Sequence, residues 1–209
     1  MKRFLFAMLA LTLAVGCGGA DKKEKKTEKS DEGKQVDVGI AYKVGDYYNE
    51  NGKEGVVFEV SADGRHGKIV SLDQTSAPWD SRVDLTDNGE WINGTETGAN
   101  SKSDGKANTD IIMSRSDSKY FEAFVWCREK GNDWYLPANE ELEAIYKNKP
   151  AINSTLAEHG GAKLVDEYWS STEYYGDVMF YACSVYVPGG FTSCLQKHHN
   201  EYVRAVSVF

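Results

Sequence analysis

The stretch from Tyr168 to Phe209 restricts the fold more than any other part of the chain. It opens with Tyr168-Trp169-Ser170-Ser171-Thr172-Glu173 and closes with Tyr202-Val203-Arg204-Ala205-Val206-Ser207-Val208-Phe209. In both runs β-branched and aromatic residues alternate with small or polar ones, the period of a strand. Strands at the end of a chain need partners, and the candidates lie far upstream. Tyr42 to Tyr48 reads as a short strand. Gly55 to Val60 and Gly67 to Leu72 flank Ala62-Asp63-Gly64-Arg65, whose Asp-Gly pair signals a hairpin. With helices in between, the last strands must return to the first, which makes an α+β domain.

The intervening sequence predicts two main helices. Lys119 to Lys130 places Phe121, Phe124, Val125 and Arg128 at helical spacing, with Gly131 as a stop. Asn139 to Lys147 sets Leu142, Ile145 and Tyr146 on one face, with Glu140 and Glu141 in the first turn, where the helix dipole favours them. Pro150 reads as an interruption, followed by a further short helix from Ala151 to Glu158. Residues 75–109 are rich in Gly, Asn, Ser and Asp and predict long loops, anchored by Trp79 and Trp91. Loops of that length usually carry function or move.

The N-terminal residues read as processing and tethering signals. Lys2 and Arg3 precede an apolar run, Phe4 to Val15, too short to cross a bilayer as a helix. Ala14-Val15-Gly16-Cys17 then resembles a bacterial lipobox, which implies cleavage before Cys17 and lipidation of that cysteine. Residues 1–17 are therefore expected to be a lipoprotein signal and residues 18–35 a disordered charged tether, since they hold no large apolar residue to offset ordering entropy. Residues 36–209 are left for one domain with a core of its own. The net charge is −8 although the tether is lysine-rich, so the folded part is acidic and unsuited to a nucleic-acid backbone.

Between the two terminal strand patterns the composition changes. Tyr174, Tyr175, Asp177, Phe180, Tyr181, Ser184, Tyr186, Phe191, Ser193, Leu195, His198 and His199 surround Pro188-Gly189-Gly190, and Val185 and Val187 alternate with them. Core strands of a small domain do not need so many large aromatics on both parities. Tyrosine supplies rigid contact area at little entropic cost, so these residues are expected to form one largely exposed ligand-binding face, with Tyr186 and Phe191 at its centre. A tyrosine-rich strand pair buried under a loop is the structural alternative.

Four motifs carry a resemblance. They are Asp104-Gly105-Lys106-Ala107-Asn108-Thr109, Trp134-Tyr135-Leu136-Pro137-Ala138-Asn139-Glu140-Glu141-Leu142, Tyr168 to Glu173, and Tyr202-Val203-Arg204-Ala205-Val206. Together they resemble the C-type-lectin-like domain of bacterial surface lipoproteins and adhesins, a domain distantly similar to formylglycine-generating enzymes. Ala138 stands where that pattern has Ser, so the reciprocal cap with Glu141 is incomplete and Asn139 is expected to cap instead. The resemblance is closer still to the variable proteins of diversity-generating retroelements, in which adenines of Asn codons are randomised. Such codons never give Lys, Gln, Glu, Met or Trp, and between Tyr174 and Asn200 only Met179, Gln196 and Lys197 are of those types.

The resemblance implies a C-type-lectin-like fold with a C-terminal antiparallel strand bundle and long loops. It also implies a lipid-anchored protein of the bacterial cell envelope, on the outer membrane and facing outward. Its ligand would be a protein or glycan on another cell, a host or a phage, with no nucleic acid and no cofactor. A ligand-free structural domain of the envelope and a cysteine-dependent oxidase are the alternatives, and no enzymatic role is expected. Cys183 and Cys194 fall opposite each other if the hairpin turns at Pro188-Gly189, and do not if it turns at Gly189-Gly190. Their place in the aromatic run and the odd cysteine count beyond Cys17 favour incidental thiols, with Cys127 a small buried residue. His198 and His199, adjacent on a strand, would point to opposite faces, and no metal site is expected. Glu173 and Arg204, on neighbouring strands, are expected to form an ion pair, and Trp134, Leu136, Trp169 and Val203 to be core.

Overall fold

The computed structural model describes residues 27–29, 35–37 and 39–209. The signal sequence, Cys17 and most of the tether lie outside the described residues. The chain divides into two units, Met1–Ile40 and Ala41–Phe209. Within the first, β1 (Thr27–Lys29) pairs antiparallel with β2 (Gln35–Asp37).

The second unit begins with a meander. β3 (Tyr47–Glu50), β4 (Lys53–Val60) and β5 (Gly67–Val70) are antiparallel neighbours, and β3 starts later than the alternation from Tyr42 predicts. The Asp63-Gly64 turn between β4 and β5 is as expected. Asp63 accepts the Ser61 hydroxyl at 2.6 Å and the Arg65 N–H at 3.1 Å. Gly64 has φ +72°, and a Cβ there would lie 2.7 Å from the Tyr42 carbonyl, so only glycine fits. The register slips between Val57 and Glu59, a bulge that lets Phe58 join the same buried cluster as Val56. Val57 and Ile69 belong to the other cluster, so this sheet has core on both faces.

Next come β6 (Thr75–Pro78) and a small ladder of β7 (Asp84–Leu85) with β8 (Trp91–Ile92). The expected long loops are thus broken by short strands and end in a helix that the sequence pattern does not announce, α1 (Gly105–Met113). A 3₁₀ turn at Ser118–Tyr120 leads into α2 (Glu122–Glu129), then β9 (Trp134–Tyr135), α3 (Asn139–Lys147) and α4 (Lys149–Glu158). Two main helices were expected and the described residues hold four. Pro150 does not interrupt α4. It sits in its first turn, where a missing N–H costs nothing.

The chain closes with β10 (Glu167–Glu173), β11 (Tyr181–Tyr186), β12 (Phe191–Gln196), β13 (Asn200–Val203) and β14 (Val206–Val208). These strands do not form one antiparallel bundle. The order β12-β11-β10-β13-β6 makes one sheet, in which β10 and β13 run parallel at Tyr168 and Tyr202. The order β3-β4-β5-β14-β9 makes the other, so the terminal strand does return to the first meander. Trp134, Leu136, Trp169 and Val203 are all buried in one core cluster.

Candidate functional site

Three of the four motifs, those at 104–109, 134–142 and 168–173, meet through buried hydrogen bonds. Glu141, almost wholly buried, accepts the N–H of Ala138 at 2.8 Å, that of Gly105 at 3.1 Å and the Tyr135 hydroxyl at 3.0 Å, and pairs with Lys68 at 3.1 Å. It joins the starts of α1 and α3. Ala138 is the N-cap residue and has no side chain to offer, so Glu141 supplies one half of the reciprocal cap. Asn139 is the first helical residue and does not cap. Asn108 binds the Ser101 backbone at both ends of its amide and donates to the Ser171 hydroxyl at 3.0 Å. Thr172 donates to the Ser101 carbonyl at 2.9 Å and accepts the Asn139 N–H at 3.2 Å.

That network presents a cavity of about 390 Å³ on one face of the β10–β11–β12 sheet. Asn100 and Lys102 line it from the loop before α1, Asn139 from the start of α3, and Thr172, Glu173, Tyr174, Tyr175 and Val178 from the end of β10 and the loop after it. Cys183, Thr192 and Cys194 line it from the hairpin. Tyr175 is 82% exposed, 5.1 Å from the Tyr174 ring and 5.8 Å from the Lys102 ammonium. The Asn139 amide donates to Thr192 Oγ1 at 3.1 Å and to Glu143 at 2.9 Å, so the strand wall and the helix wall are tied.

The carboxylate at the cavity's edge is already committed. Glu173 pairs with Lys197 at 2.7 Å and accepts the N–H groups of Thr97 and Gly98 at 3.0 Å each. Lys197 is fully buried, donates to the carbonyls of Thr95 and Val178, and lies 4.3 Å from the Trp79 ring centre. Burial lowers its pKa against the opposing pull of Glu173. The expected Glu173–Arg204 pair is therefore corrected. Arg204 donates to the carbonyls of Ser71, Leu72 and Ala162 and to the Gln74 amide oxygen.

The residues expected to form one face fall into several places. Tyr174 and Tyr175 line the cavity. Tyr186 pairs across the strands with Phe191, their rings 5.2 Å apart at the hairpin tip, with Phe191 56% exposed and Tyr186 half-buried. By register these two and the Ser184–Ser193 pair share a face, opposite the one that carries Cys183 and Cys194. Ser184 is buried, which corrects its expected exposure, because it donates to Glu167 at 2.6 Å within the sheet. Leu195 packs on the core, and Asp177 accepts the N–H groups of Met179 and Phe180, holding the loop. Phe180 and His198 stand against Trp91, at 6.3 and 5.2 Å. His198 and His199 lie in the turn before β13, not on a strand, with their rings 4.7 Å apart. Tyr181 accepts from Gln196 at 3.1 Å. Tyr181, His198 and His199 are half-buried.

Of the lining residues the sequence pointed only to Tyr174 and Tyr175; Asn100, Lys102, Asn139, Thr172, Glu173, Val178, Cys183, Thr192 and Cys194 were missed as such. Asn139 reads as a helix cap, Thr172 and Glu173 as framework, and Cys183 and Cys194 as incidental thiols, while the others carry no signal. Among the described residues no three His, Cys, Asp or Glu side chains converge as metal ligands. The hairpin does turn about Pro188-Gly189, so Cys183 and Cys194 are direct partners across it. Burial pushes the Cys183 thiol up to about 11 and also raises that of Cys194.

Comparison with known proteins matches residues 73–207 to the family model described as the Lcl C-terminal domain. No curated protein matches the chain. The matched segment runs from just before β6 to within β14 and takes in every residue that lines the cavity.

Proposed function

The chain belongs to the Lcl C-terminal domain family, and from that membership we propose that it is a ligand-binding protein of the bacterial surface, adhesin-like, that takes its ligand in the Tyr174–Tyr175 cavity. One observation carries the reading: Tyr175, a large aromatic 82% exposed, lines a concavity whose other walls lie wholly within the family-matched segment. Exposed tyrosine beside amide and ammonium donors suits a ligand with a flat apolar face and polar edges, a protein loop or a glycan ring. Lipidation at Cys17 and display on the outer membrane complete the proposal. Among the described residues no helix is long and apolar enough to cross a membrane.

The finer reading, a run diversified by a retroelement, draws its support from composition, since only Met179, Gln196 and Lys197 between Tyr174 and Asn200 are of types a randomised Asn codon cannot encode. Of these, Lys197 is buried framework, Gln196 is bonded to Tyr181 and Met179 is exposed in the loop. A reverse-transcriptase gene and template repeat beside the coding sequence would establish it, and their absence would remove it. An oxidase would use a thiolate, and burial favours the protonated form of both Cys183 and Cys194.

The binding test uses an array of surface glycans and extracellular proteins, followed by titration of any hit. Tyr175→Ala is expected to weaken binding by about 2 kcal/mol with the melting temperature unchanged, as for a central aromatic anchor. Phe191→Ala, on the opposite face, is expected to leave affinity within about 0.5 kcal/mol. The reverse ranking would move the site to the hairpin tip.

A further inference from the structure

We infer that Cys183 and Cys194 form a paired modification site that closes to a disulfide on exposure to a small-molecule disulfide, with Cys194 the entry thiol and Cys183 the resolving thiol. The register places the two residues directly opposite on neighbouring antiparallel strands. Such pairs have Cα atoms about 4.5–5.5 Å apart, within the range that a disulfide spans. The side chains point to one face and line the same cavity, and both thiols are free. The order of reaction follows from access. Cys194 is exposed on the edge strand β12, whereas Cys183 is buried beneath it. Burial raises both thiols, that of Cys183 to about 11, so the reaction runs through a minor thiolate fraction and its order is set by access. Cys127, wholly buried in the core, has no partner thiol within the hairpin and stays outside the reaction.

The chemistry balances with oxidised glutathione as the acceptor. Cys194 gives its proton to water, and its thiolate attacks one glutathione sulfur. The S–S bond breaks, one glutathione thiolate leaves, and a mixed disulfide remains on Cys194. Cys183 then loses its proton, attacks Cys194 Sγ and expels the second glutathione. The two protein thiols lose two electrons and two protons, and the glutathione disulfide becomes two thiols. The bridge would pin the edge strand that walls the cavity. The inference goes beyond ligand binding and does not depend on it.

The test treats the full-length protein with oxidised glutathione, then unfolds it in an alkylating reagent and digests it with trypsin. Cys183 and Cys194 share the peptide of residues 164–197, which has no internal Lys or Arg, while Cys127 lies alone in residues 120–128. The expected result is a 164–197 peptide lighter by two hydrogens and unalkylated, with Cys127 fully alkylated. Cys183→Ser should trap glutathione on Cys194, and Cys194→Ser should take it up on Cys183 at least about tenfold more slowly, because the buried thiol is poorly reached. Full alkylation of 164–197 in the wild-type protein would overturn the pairing, as would a bridge to Cys127 or to a second chain. Equal glutathione uptake by the two variants would overturn the order.

Discussion

A carboxylate that loses water without gaining a cation is driven toward its neutral form, and Glu201 is such a group. Burial, with Glu167 and Asp166 nearby, pushes its pKa up to about 7, and His199 stands 3.9 Å away. The folded-state value lies above the unfolded one, so the contribution to stability is fully present below about pH 4.3 and is lost as the pH rises through 7. Glu201→Gln is therefore expected to leave stability unchanged at pH 4. At pH 8 it should raise stability by about 1 kcal/mol, the full shift being discounted because the side chain keeps some water. Urea unfolding at the two pH values measures the difference, and an equal change at both would reject the assignment. Glu173 is placed differently. Deeply buried in the same sheet, it has an ammonium and two backbone donors around it. Nothing in the sequence distinguishes these two glutamates, since Lys197 reaches Glu173 only because the β11–β12 hairpin folds back.

At the scale of single elements, α2 and α3 were legible because their buried faces are apolar at helical spacing. The same rule hid α1. Its buried side is Gly105, Asn108, Thr109 and Ile112, mostly small and polar residues committed to hydrogen bonds. Without an apolar stripe, Gly-Lys-Ala-Asn-Thr reads as loop. The hairpin shows a second limit. Whether Cys183 faces Cys194 depends on a one-residue choice of turn, and both choices satisfy the alternation. The cavity was legible only where its lining is aromatic, because its walls come from four separated segments that tertiary structure alone brings together. The start of α3 carries its own test. Ala138 has φ −71° and ψ 169°, the extended geometry of an N-cap, and Glu141 already makes the returning bond. Ala138→Ser is expected to complete the reciprocal cap and stabilise the protein by about 1 kcal/mol, read as a rise of several degrees in melting temperature. A fall would mean that the buried site has no room for the hydroxyl.

For the molecule as a whole, the two five-stranded sheets of the second unit are continuous in sequence at one place near the end of the chain. β13 ends at Val203 in one sheet and β14 begins at Val206 in the other, and Arg204-Ala205 make the crossing. Ala205 accepts the Ser71 N–H at 2.9 Å, while Arg204 binds the carbonyls of Ser71, Leu72 and Ala162 and the amide oxygen of Gln74. The Tyr168 hydroxyl donates to the same Gln74 oxygen at 2.7 Å, which brings β10 into the junction. The guanidinium thus satisfies the chain between β5 and β6 and the loop after α4 at once. A lysine would offer one compact ammonium in place of a planar fork and could not reach all four oxygens. Each buried acceptor left without a donor costs about 1–3 kcal/mol, so Arg204→Lys is expected to lose roughly 3 kcal/mol or more. Because both sheets depend on the junction, near-ultraviolet and far-ultraviolet circular dichroism should report one coincident urea transition at a lower midpoint. Two separate transitions would show that the sheets fold independently and that Arg204 secures only a local loop.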